Sequence, residues 1–235
     1  MPLASRVMLA PVCIVGMFCT PGLYSRAVLD GYSAMSILKI ARMGHPVLRK
    51  VADRVEDPLD PEIQRLIADM KDTMKDAGGV GLAAPQVFQS KAIMVYYVPA
   101  MRQSDDPDDA AIPLSVLINP EIEPVGDEIV DGWEGCLSIP GLQGVVPRWN
   151  KIRYRGLNEQ GEEIERIAGG FHARVVQHEY DHLIGVMYPE RMEDMTLLGF
   201  NEELREYPPE TTFRQACASR SDDDAQDAGS PDEEA

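Results

Sequence analysis

The chain has 235 residues, 44% of them hydrophobic, with 39 acidic side chains against 22 basic ones and a formal net charge of -17. That length allows one domain of ordinary size with a full hydrophobic core. The charge argues against a nucleic-acid surface, because a polyanion would be repelled, so no direct DNA partner is expected.

Residues 1–34 differ from everything after them. One basic residue, Arg6, precedes an uncharged stretch from Val7 to Ser25 that contains Pro11, Gly16, Pro21 and Gly22. The stretch is too short and too broken for a membrane span, although Arg6 followed by Val7 to Cys19 imitates a signal peptide. It reads as an upstream extension of the reading frame, with an organellar leader and an export signal as the competing readings. At the other end, Asp222, Asp223, Asp224, Asp227, Asp232, Glu233 and Glu234 stand among Ser, Gly and Pro, the composition of a disordered acidic tail. The expected organisation is a disordered leader or extension over 1–34, a folded domain over 35–216 and a disordered tail over 217–235. Of Cys13, Cys19, Cys136 and Cys217, only Cys136 falls in folded context. No disulfide framework is visible, so a reduced, cytoplasmic setting is expected, or an organellar one if residues 1–34 are a genuine leader.

Within the domain, Asp60 to Gly78 predicts a helix, with Pro61 at its first position and apolar residues at Ile63, Leu66, Ile67, Met70 and Met74. The glycine stretch Gly79-Val80-Gly81-Leu82-Ala83-Ala84-Pro85-Gln86 follows. It lacks the Lys-Ser/Thr ending of a phosphate-binding loop, so its small residues are read as allowing close approach of another backbone. Short strands are predicted at Ile93–Val98, Val116–Ile118, Trp149–Leu157 and Ile164–Ile167, with a hairpin turn at Asn158-Glu159-Gln160-Gly161. Asp105-Asp106-Pro107-Asp108-Asp109 reads as an acidic surface loop. Between the strands lies Asp131-Gly132-Trp133-Glu134-Gly135-Cys136-Leu137-Ser138-Ile139-Pro140. The last helix is bracketed by Gly169, Gly170 and Gly185, and Phe171, Val175, His178 and His182 share its buried face. One early helix, several short strands and one late buried helix predict an α+β fold, with antiparallel or mixed sheets wrapped around that helix.

The chemistry concentrates in Gln177-His178-Glu179-Tyr180-Asp181-His182. Imidazoles four apart on a helix can reach one cation, and Glu179 leans toward the open coordination position. A cation held this way lowers the pKa of water toward neutrality, and the adjacent carboxylate can carry the proton to a leaving group. The spacing points to hydrolysis and leaves the third ligand open. Cys136 is the candidate, although a buried free cysteine by itself is ordinarily a small hydrophobe.

Taken together and in order, Gly79 to Gln86, Glu134-Gly135-Cys136-Leu137-Ser138, and Gln177 to Gly185 resemble the three signature motifs of the peptide deformylases. The resemblance runs more weakly from about Ile37 to Glu190 and covers neither end. It implies removal of the formyl group from N-formylmethionyl nascent chains, with release of formate. The resemblance makes Cys136, His178 and His182 the ligands of one divalent ion. It suggests iron(II), while the ligand set also suits zinc(II). It gives Glu179 the proton transfer, and the Gln86 amide and Leu137 N–H the stabilisation of the developing oxyanion. A peptide held as an added strand would pass Gly79 and Gly81, with its methionine among Val80, Leu137, Phe171 and Val175; Glu134 and Arg148 would form a supporting ion pair. Many relatives carry arginine where this chain has Gln143, and some end in a basic helix that docks on the ribosome. The acidic tail here implies ribosome proximity without that route, and a monomer is expected.

Two other classes compete. A zinc endopeptidase would take Glu202 as third ligand, since Asn201, Glu202 and Glu206 make an Asn-Glu-x-x-x-Glu pattern; it would leave the glycine stretch and Glu134 to Ser138 without a role. A non-catalytic, metal-stabilised binding domain would need neither Glu179 nor Gln86.

Overall fold

The computed structural model describes residues 36–210 and Arg214. The leader, the acidic tail and three of the four cysteines therefore lie outside the described residues. A five-stranded antiparallel sheet has the order β1-β2-β3-β6-β7: Gly81–Ala83, Ile93–Val98, Ile112–Pro124, Lys151–Leu157 and Glu163–Gly169. A second, three-stranded sheet has the order β4-β5-β8: Ile129–Cys136, Ile139–Trp149 and Gly199–Phe200. Among the described residues three α-helices accompany them: α1 (Pro61–Asp76), α2 (Gly170–Leu183) and α3 (Asn201–Glu206).

The larger sheet is covered on both faces, and this is why β2, an interior strand, is apolar at nearly every position. Ile93 and Val95 pack with Ile67, Met70 and Met74 of α1. Met94 and Tyr96, pointing the other way, pack with Ala173, Val175, Val176 and Leu183 of α2. Each fully buried methionine or isoleucine contributes roughly 2 kcal/mol of apolar burial. α1 starts at Asp60, whose carboxylate accepts the N–H of Glu62, and stops at Gly78, whose φ of 68° is easy for glycine.

Several element boundaries differ from the sequence reading. Asp131–Pro140 is itself strand: it supplies most of β4, the two-residue turn Leu137-Ser138 and the start of β5. The run Trp149–Leu157 is two strands broken at Asn150, and β1 is cut from the glycine stretch. Glycines and prolines depress local strand propensity, while pairing with β5 and β2 supplies what the local sequence lacks. Asp109 corrects the acidic surface loop. It is 3% exposed, and its carboxylate accepts the N–H of His172 at 3.0 Å in the first turn of α2, where the helix leaves an amide unpaired.

Candidate active site

The strands and α2 bring the three sequence stretches to one groove of about 700 Å³. Its lining includes Gly79, Val80, Gly81, Gln86, Glu134, Cys136, Leu137, Gln143, Phe171, Val175, His178 and Glu179. Cys136 ends β4, and His178 and His182 stand one turn apart on α2. One donor atom from each lies within 4.8 Å of the others, and Cys136 Sγ is 3.3 Å from His182 Nε2. Two imidazoles and one sulfur in this arrangement fit a single divalent ion.

The groups behind the ligands are buried and charged. Glu134 Oε2 accepts a hydrogen bond from His178 Nδ1 at 2.8 Å, which leaves Nε2 of that ring for the cation. Arg148 grips both oxygens of Glu134 at 2.9 Å, and its third nitrogen donates to Asp181 at 2.6 Å. Arg191 closes the chain on the other oxygen of Asp181. Burial alone would push the Glu134 carboxyl up, but the Arg148 guanidinium and His178 outweigh it and hold it well below the usual carboxylate range. Burial also pulls His178 down, but the acceptors Cys136 and Glu134, to which the ring's N–H groups can donate, raise it above the ordinary imidazole value.

Glu179 is 4% exposed, and burial pushes its carboxyl up to about 7. Its Oε2 has no hydrogen-bond partner among the described residues. A buried carboxylate of raised pKa with one oxygen available can take up and give back a proton near neutrality. Gly81 makes this position possible, since a Cβ built on it would run into the Glu179 carboxylate. Gln86 is equally fixed. Its Oε1 accepts the N–H of Ala83 at 2.8 Å, so Nε2 must face the groove, where it lies 3.2 Å from Ser138 Oγ and 3.6 Å from Cys136 Sγ. Leu137 sits in the turn after β4, beside these groups. Val80, Phe171 and Val175 supply the apolar part of the same groove.

Glu202 is exposed in the first turn of α3 and stands outside the Cys136–His178–His182 group, which removes the motif's thermolysin-like alternative. The sequence reading missed Ser138, Asp181 and Arg174 as parts of the site. Arg174 had a signal: it is four residues before His178, on the helix face that the sequence marks as buried.

The profile of the polypeptide deformylase family matches residues 37–197. Peptide deformylase 2 of Ralstonia nicotianae is 51% identical over 168 residues, covering 72% of this chain and 94% of the relative. Peptide deformylase 1 of Bordetella pertussis is 52% identical over 165 residues, covering 70% and 93%. Among solved structures, the Ehrlichia chaffeensis enzyme in complex with actinonin superposes with a TM-score of 0.64 at 34% identity, covering 69% of this chain and 92% of that one. A Met-Ala-Ser-bound class I type b enzyme from Acinetobacter baumannii gives 0.61 at 36% identity, covering 67% and 99%.

Proposed function

The chain belongs to the peptide deformylase family, and we propose that it hydrolyses the formyl group from the N-terminal formylmethionine of nascent polypeptides, releasing formate. The observation that carries this reading is the convergence of Cys136, His178 and His182 with the buried Glu179 carboxyl and the oriented Gln86 amide in one groove. Those three residues would hold a divalent metal, for which we propose iron(II); their donor set also accepts zinc(II). When bound, such an ion polarises the formyl carbonyl and lowers the pKa of the attacking water.

The protein's own groups then have distinct tasks. Glu179 takes the proton of the attacking water and delivers it to the departing amine, a shuttle suited to a carboxyl raised to about 7 by burial. Gln86 Nε2 and the Leu137 N–H donate to the formyl oxygen as it gains charge. The formylated peptide lies as an extra strand between β1, at one edge of the larger sheet, and β4, at one edge of the smaller. Gly79 and Gly81 leave space for its backbone, and Val80, Leu137, Phe171 and Val175 enclose the methionine side chain. The Met-Ala-Ser ligand named for the Acinetobacter structure has the form of a deformylated product.

No described helix is long and apolar enough to cross a membrane. We further propose that the protein acts as a monomer near the ribosome, in the cytoplasm or in an organelle, without docking on ribosomal RNA, since its acidic C-terminal sequence would be repelled there. The deciding experiment is formate release from formyl-Met-Ala-Ser by protein prepared without oxygen, with metal content measured on the same sample. No formate from metal-loaded protein overturns the assignment.

A further inference from the structure

Arg174 stands one turn before His178 on α2 and is 8% exposed. Its NH1 donates to Glu134 Oε1 at 2.9 Å and to the Val146 carbonyl at 2.8 Å, and its NH2 to the Val130 carbonyl at 2.9 Å. Glu134 already has Arg148 on both oxygens, and Arg148 is itself fixed by Asp181. The carboxylate that orients His178 therefore does not depend on a second guanidinium. Two of the three short bonds from Arg174 go instead to the backbone of β4 and β5.

Gly132 explains how the guanidinium fits. Side chains alternate along β4, so residues 130, 132 and 134 share the face turned toward α2. A Cβ on Gly132 would stand 2.8 Å from the Arg174 guanidinium carbon. Gly132 does not have a positive φ, so its backbone does not require glycine. The guanidinium fills the volume that any other side chain at 132 would need.

β4 is also the edge of its sheet, and its outward side takes a backbone partner: the Asp131 N–H donates to the Arg214 carbonyl at 2.9 Å. Gly135, four residues along, presents its backbone to the same side beside Cys136. The geometry points to Arg174 as a positioning residue for the substrate. Seated against Gly132, it fixes the β4 edge that receives the peptide relative to the helix that carries the reacting groups, while Arg148 serves Glu134 and His178. This assignment rests on the deformylase reading and deepens it.

Holoenzyme carrying Arg174→Met, Gly132→Ala or both would be compared with wild type on formyl-Met-Ala-Ser. The readouts are KM, kcat, metal per chain and the visible spectrum of the cobalt(II)-substituted protein. Each single variant should raise KM about tenfold and leave kcat within about threefold, because alignment of the bound chain is lost and the chemistry is not. Metal content and cobalt bands should not move. The double variant should be no worse than Arg174→Met, since Gly132→Ala acts by displacing the guanidinium. Arg174→Lys, which keeps a donor without the fork, should fall between.

Loss of kcat or metal at unchanged KM, or additive effects in the double variant, overturns the assignment. If Arg174→Met does not fold, Gly132→Ala decides alone, and an unchanged KM there is equally fatal. Absence of formate from wild-type holoenzyme with every formylated peptide would instead overturn the deformylase reading, and this inference with it.

Discussion

The Glu134 Oε2 accepts the Nδ1 proton of His178 at 2.8 Å although 44 residues separate the two in sequence. An ionised carboxylate can only accept, so the bond fixes the tautomer and ring orientation of a proposed metal ligand. Glu134→Gln preserves shape and removes the charge that Arg148 and Arg174 both face. Leaving Arg174 buried without its carboxylate, and Arg148 with Asp181 alone, should cost about 3–5 kcal/mol of stability. Metal affinity should fall by about 10- to 100-fold. Urea unfolding and metal competition would measure both; a variant as stable and as metal-retentive as wild type would contradict the network's role.

The availability of Glu179 leads to a paired prediction. Glu179→Gln keeps the side chain's volume and abolishes proton transfer, so metal stays bound while turnover drops by about two to four orders of magnitude. Gly81→Ala places a Cβ against the same carboxylate. It should also depress kcat with metal retained, since the carboxylate must shift. Comparable turnover in Glu179→Gln would put the proton carrier elsewhere.

Substitution at Cys136 and at Glu202 should have opposite outcomes. Cys136→Ala leaves two imidazoles, too few to close a protein metal site, so metal content should collapse. Glu202→Ala removes an exposed charge from α3, and both metal content and formate release should survive. Elemental analysis of the two purified proteins checks this, and the reverse result would discard the thiolate ligand.

His172 should make stability fall in mild acid. Burial, helped by Arg166 and opposed by Asp109, lowers its imidazole to about 4; the ring accepts or donates at Tyr154 Oη, 3.1 Å away. Between about pH 6.5 and 4 the unfolded chain binds the proton and the folded one does not, so the contribution is complete above 6.5 and is lost as pH falls through that window. From pH 7 to 5 the loss amounts to about 2 kcal/mol. Urea titrations of metal-free wild type and His172→Gln should therefore converge as pH is lowered. A stability gap that stays constant between those pH values would show that His172 titrates normally.

What the sequence alone makes legible follows from the range of the interactions. The relation of His178, Glu179 and His182 was readable because a helical repeat fixes side chains four apart on one face, whatever the rest of the chain does. The apolar face of α1 was readable for the same reason: Ile67, Met70 and Met74 are buried, and Ile63 and Leu66 pack half-buried against the same core. The sequence also carried the three motifs that mark the family.

Only the tertiary structure decided what lies opposite those elements. No local rule says that Asp109 leaves its acidic run to cap α2, that β4 forms from a glycine-rich stretch by pairing with β5, or that Gln86 is held by Ala83 with its amide facing Cys136. Gly132 and Arg174 are the sharpest case, since nothing in either segment points to the other. Their relation exists because packing α2 under the hairpin puts a missing side chain and a buried guanidinium in the same volume, and steric exclusion of that kind acts between elements far apart in the chain, where periodicity carries no information.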